Sequence, residues 1–172
     1  MHTIAIATTA ILWLGGIASI ALLPIVNAGV TCNGGNMNAK FTPGVTFNKV
    51  PIQVFATGNF GGCQSAEFPK ITGGTFSFGA DGPGVCTGPL AIGSGAAVDI
   101  SWNDGSYSTA RKMSFYVELG SWSFNGVLKG RFEGQTVRAS GRATKPGTDM
   151  GLECRRGGLI MYPATVDSLV VG

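Results

Sequence analysis

Beyond residue 29, apolar and polar side chains alternate with a period of two along most of the chain, and a helical period is nearly absent. Val98, Ile100 and Trp102 share one face of a segment whose other face carries Asp99 and Ser101, and Asn103-Asp104-Gly105 closes it as a turn. Met113, Phe115, Val117 and Leu119 then alternate with Ser114, Tyr116 and Glu118. Asn125-Gly126 carries the strongest hairpin signal, because a type I′ turn needs positive φ at both central residues. After it, Leu128, Gly130 and Phe132 oppose Lys129, Arg131 and Glu133. Past a Glu133-Gly134 turn, Val137, Ala139 and Gly141 oppose Thr136, Arg138, Ser140 and Arg142. Further strands are expected around Met37–Phe41, Val50–Thr57, Thr75–Phe78, Leu159–Tyr162 and Ser168–Val171.

Eight or nine short strands punctuated by Gly, Pro, Asn and Asp predict an all-β domain. It would be an antiparallel β-sandwich or a small β-barrel of about eight strands. Inward glycines at 130 and 141 favour the barrel, where Gly permits sharp bending. Two of the 28 glycines, Gly15 and Gly16, precede residue 29. The other 26 fall in the last 144 residues, a density that disfavours a helical bundle. Hydrophobic residues make up 44% of the chain, with ten Phe, so there is apolar surface enough for a core.

The N-terminus reads differently. Ile4 to Leu23 is an uncharged apolar run, Pro24 interrupts it, and Val26-Asn27-Ala28 offers a small residue before a cut. Residues 1–28 are therefore expected to be a secretory signal helix cleaved before Gly29, leaving 29–172 as a single β domain. An uncleaved membrane anchor at the cell surface is the alternative, because about 20 apolar residues also span a bilayer. Cys32, Cys63, Cys86 and Cys154 all lie beyond this segment, and an even number of cysteines in an exported domain implies two disulfides. Four cysteines allow three connectivities. A hairpin turning near Thr42-Pro43-Gly44 favours Cys32–Cys63 and, by exclusion, Cys86–Cys154.

The single histidine is His2, so the expected mature domain has none. That excludes Ser-His-Asp and Cys-His catalysis and His-ligated metals. There is no CxxC pair, no GxGxxG, no acidic calcium loop and no Asn-x-Ser/Thr sequon, and no cofactor or metal is expected. Gly93-Ser94-Gly95 reads as a flexible lead into the next strand. Ser114 near Lys112 is too common a juxtaposition to indicate a dyad. Asp99 and Asp104 flank Trp102, which with Glu118 and Glu133 leaves one enzymatic alternative: a small extracellular glycan hydrolase using a carboxylate pair. Trp102 is expected in the core and Trp122 at the surface.

Charge is unevenly spread. The chain carries a net +3, yet residues 29–110 sum to −1 and residues 111–156 to +5. Alternation places Lys129, Arg131, Arg138 and Arg142 on the outer face of two neighbouring strands, with Arg111, Lys112, Arg155 and Arg156 nearby. Such a strip suits an anionic envelope polymer or an acidic protein partner. No nucleic-acid motif accompanies it, and contact with a membrane would come only through an uncleaved N-terminal segment.

Several short motifs carry a resemblance: Phe41-Thr42-Pro43-Gly44-Val45, Gly61-Gly62-Cys63, Trp102-x-Asp104-Gly105-Ser106-x-Ser108 and Gly130-x-Phe132-x-Gly134. Together with the export segment, they make the chain similar to a class of small exported all-β proteins of actinobacteria. That class has no assigned function or catalytic residues. The resemblance implies a secreted or envelope-associated non-catalytic β domain.

Overall fold

The computed structural model describes residues 29–87 and 90–172. The expected signal helix at residues 1–28 lies outside these. Ten antiparallel segments form one sheet: β1 Val30–Cys32, β2 Gly35–Val45, β3 Val50–Gly61, β4 Gly73–Gly84, β5 Leu90–Trp102, β6 Tyr107–Val117, β7 Ser121–Gly130, β8 Thr136–Arg142, β9 Leu159–Thr165 and β10 Ser168–Val171. From β2 to β8 each strand pairs with the next in sequence, as a meander.

The sheet curls until its ends meet. β1 pairs with β10 (Val30 opposite Val171) and β2 with β9 (Asn36 opposite Thr165) in one register that runs from Val30 to Lys40. Val166 N–H donates to Gly35 O across the gap between the two ladders. β10 also pairs with β8, and an Ala143–Ala164 bridge brings β9 against the same strand. Ten segments thus trace eight staves, and the single curled sheet is a barrel-like fold, not a sandwich.

Alternation explains the interior. Even-numbered residues of β3 and β4 are buried, and their odd neighbours line the outside. Aromatic rings fill the bore from one end to the other. Phe68 meets Phe132 at 5.1 Å, Phe132 meets Trp102 at 5.2 Å, and Trp102 meets Phe60 at 5.2 Å. Phe76 continues to Trp122 and Phe124, Phe78 meets Phe115 at 4.2 Å, and Phe41 packs on Tyr162 at the far end. A void beside Val45, Val117, Leu159 and Tyr162 measures only about 20 Å³, room for one water at most.

The cystines are Cys32–Cys63 and Cys86–Cys154. The first closes the open end of the β2–β3 hairpin, as expected, although the turn lies at residues 46–49. Thr42-Pro43-Gly44 belongs instead to β2, where pairing with β9 shifts register between Lys40 and Val45. The second cystine fastens an element that the pattern did not predict, helix α1 Gly147–Arg156. Only Met150 and Cys154 of α1 are buried, and its two glycines depress helix propensity. Its order rests on that cystine, the Met150 contact and a Lys145–Glu153 ion pair at 2.7 Å.

Three expectations are corrected, the turn at Asn125-Gly126, the exposure of Trp122 and the inward facing of Gly130. Asn125-Gly126 is not a turn but the middle of β7, and β6 turns into β7 at residues 118–120. β6 carries a bulge between Ala110 and Ser114, with Lys112 at φ 59°, which switches its buried face from even to odd residues. A Cβ on Gly126 would sit 3.0 Å from Met113 Cβ and 3.2 Å from Ala110 Cβ, so glycine here serves packing. Trp122, expected at the surface, is 2% exposed, and its Nε1 donates to Thr165 O at 2.9 Å. Gly141 faces inward as predicted: a Cβ there would collide with Thr165 O and with that indole nitrogen. Gly130 ends β7 at φ 81° and is exposed.

Gly141→Ala is expected to lower unfolding free energy by about 3 kcal/mol, since it overpacks the seam and breaks the Trp122–Thr165 bond. Denaturant titration with Gly79→Ala as control, where a Cβ meets open space, checks it. Lys112→Gly should stabilise by about 1 kcal/mol, because it relieves a left-handed backbone that disfavours any side chain. An unchanged midpoint would count against that assignment of cost.

Candidate functional surface

With the bore filled, chemistry on this molecule belongs to its ends and its outer face. The four basic residues singled out from sequence do not stay together. Arg131 is drawn off its strand, because β7 ends at Gly130 and the chain coils through Phe132 (φ 67°) and Gly134 (φ 79°). Its guanidinium stacks 4.1 Å from the Phe68 ring centre and reaches Asp104 at 3.7 Å, sealing one end of the barrel. Below it, Trp102 Nε1 donates to Ser108 Oγ at 2.9 Å, and Ser108 Oγ–H donates to Arg131 O.

Arg142 is committed elsewhere. Its Nε donates to Asp167 Oδ2 at 2.7 Å, and its backbone N–H donates to Thr165 Oγ1 at 3.2 Å. Thr165 Oγ1–H in turn donates to Asp167 Oδ1 at 2.7 Å. This group of three clamps the bend between β9 and β10 onto the end of β8. Lys129 and Arg138 do project from the outer face, beside Thr109 and Asn125 respectively. Neither has a carboxylate within ion-pair distance among the described residues. Lys112, turned outward by the bulge, joins them on the β6–β8 arc and is likewise without an acid partner. Arg111, next to it, pairs with Asp99 at 2.8 Å.

Three of the four candidate acids are engaged in contacts of their own. Asp99 lies on the wall of β5 with Arg111. Asp104 sits in the β5–β6 turn, where its Oδ1 accepts from the Ser106 N–H at 2.9 Å and from the Ser106 hydroxyl. Glu133 caps Gly130 N–H at 3.0 Å, and Glu118 lies in the β6–β7 turn at the other end. Ser106 above all, helped by Arg131, holds the Asp104 carboxyl below its ordinary 3.8. Arg142 first and Thr165 second do the same for Asp167. Burial, with Glu118 nearby, pushes the Tyr162 hydroxyl up from its usual value, and that hydroxyl donates to Glu118 O at 2.9 Å. Among the described residues no group of three or more His, Cys, Asp or Glu side chains gathers to hold a metal.

The class so defined is a disulfide-stapled, antiparallel barrel-like domain with a solid core. No protein-family model, no curated protein and no solved structure matches the chain. Two cystines fit an oxidising compartment. No helix among the described residues is long and apolar enough to cross a membrane.

Both depressed carboxylates favour the folded state in their ionised form. Their contribution is complete above the unfolded value near 3.8 and is lost as pH falls through the lower folded values. Stability is therefore expected to hold from neutrality down to about pH 4 and to drop below it. Asp167→Asn should show a shallower acid limb in urea melts taken across that range. A limb as steep as wild type would remove Asp167 from the account.

Proposed function

We propose that the chain is an exported, non-catalytic β domain that acts at or near the cell envelope by holding an anionic polymer on its β6–β8 arc. The observation that carries this reading is a set of three cations, Lys112, Lys129 and Arg138, exposed on one arc without acidic partners among the described residues. A strand spacing of about 4.8 Å and a rise of about 3.4 Å per residue place them about 10–15 Å apart, close enough to act together on one polyanion. Lys112 supports it further. Its backbone at φ 59° in the bulge turns the side chain outward, so its charge faces solvent. Among the described residues aromatic side chains fill the bore, so binding falls to the outer wall. The two cystines and the apolar run from Ile4 to Leu23 support export. The hydrolase alternative gains no support, because Asp99, Asp104 and Glu133 are each engaged in contacts of their own.

Salt-gradient elution from heparin tests the arc, since attraction between surface charges is screened within about 8 Å at physiological ionic strength. Lys129→Glu with Arg138→Glu should elute at clearly lower salt than wild type. Lys112→Gly should also elute earlier while being the more stable protein. Co-elution of all three would end the proposal. Export has its own check: the intact mass of protein recovered from the medium should match residues 29–172 less four hydrogens. Free thiols or a retained leader would contradict it.

A further inference from the structure

A second surface lies on the neighbouring arc, β2–β5, and its chemistry is the reverse of the first. Register places Asn36, Asn59, Thr75 and Ser101 side by side across four strands, with Tyr107 of β6 ending the row. The row beside it runs Asn38, Thr57, Ser77, Asp99 and Thr109. All these side chains project outward. The one charge among them, Asp99, is neutralised by Arg111. An open trough of about 460 Å³ follows the two rows, because the residues forming it are short. Two exposed aromatic rings border it: Tyr107, 62% exposed, and Phe55, 58% exposed and two residues from Thr57 on the same face.

We propose that this trough binds an extended neutral polysaccharide. The side chains of Asn36, Asn38, Thr57, Thr75, Ser77 and Ser101 make no hydrogen bond to other protein groups among the described residues. Their donors and acceptors are free for a ligand with the same mixed character. A polyhydroxylated chain supplies that. An apolar partner would bury the hydroxyls and amides without replacing their bonds to water, which is costly, and within the two rows a charged polymer meets only Asp99, already paired with Arg111. A partner β-strand is excluded on other grounds, since the strands of this arc are paired on both sides and present no edge. Dimensions agree with the assignment. Neighbouring strands are about 4.8 Å apart, close to the length of one pyranose unit in an extended chain, so successive sugars would meet successive strands. Tyr107 and Phe55 offer ring faces to the C–H faces of sugars at the borders.

Retention on immobilised xylan and on a soluble mixed-linkage β-glucan tests this, run in about 1 M NaCl, where the Debye length is about 3 Å and the basic arc is silenced. Wild type should be retained on at least one of the two polymers. Thr57→Val with Thr75→Val keeps shape and strand preference while removing two hydroxyls, and should bind about tenfold more weakly, as expected for two lost hydrogen bonds. Tyr107→Ala should weaken binding as well. Lys129→Glu with Arg138→Glu should bind as wild type does, which separates this site from the heparin-binding arc. Thermal melts would confirm that each variant is folded. No retention of wild type on either polymer would overturn the proposal, as would a Val double variant that binds undiminished.

Discussion

The ladder between the first and last strands is the constraint on which the rest of the fold depends. Because β1–β2 and β9–β10 keep one register through a shared bend, the β9–β10 stave joins the meander's two outer strands, β2 and β8. An open sheet of this length would expose two rows of unpaired N–H and C=O groups, a standing invitation to aggregation. Closure removes them and forces half of every strand inward, and it is this inward half that Phe, Trp and Met fill. The seam tolerates little. At Gly141 the backbone of β9 lies where a side chain would be, and Arg142 and Thr165 complete the join with polar contacts.

A solid bore divides the sequence between two tasks. Inward positions are spent on packing, down to glycines that make way for aromatic rings: a Cβ on Gly58 would meet Phe76, and one on Gly74 would meet Phe60. Outward positions are released from packing and carry what recognition the molecule has. There the chain places few charges, most of them between residues 111 and 156, and leaves the β2–β5 wall to hydroxyls and amides. Two arcs of one barrel thus present unlike chemistry without an insertion or a second domain.

Period-two alternation made the strand class, most strand positions and the inward set from Val98 to Trp102 legible in the sequence. The cystine pairing was legible too, because two cysteines flank one hairpin. What escaped depends on partners distant in sequence. Asn125-Gly126 has the composition of a turn, and only the crowding of a bulge on the adjacent strand makes it strand interior. Arg131 fits the alternation of β7 by number, but three residues with positive φ carry it to the barrel end. Trp122 looked exposed among serines because its acceptor, Thr165 O, lies 43 residues away. Helix α1 has too few apolar residues to announce itself, and the polar rows exist only once registers are known.

The closing ladder also sets an order of events. Each hairpin of the meander joins neighbours in sequence, whose contacts form at small loop entropy. The pairing of Val30 with Val171 joins the extremes of the domain and can be gained only when everything between them is in place. During synthesis or passage through a membrane from the N-terminus, the segment that emerges first finds its partner last. Its tether through Cys32 to Cys63 holds it beside the β2–β3 hairpin in the meantime. The strand most exposed to wrong partners while the chain is incomplete is thereby kept short and on a leash.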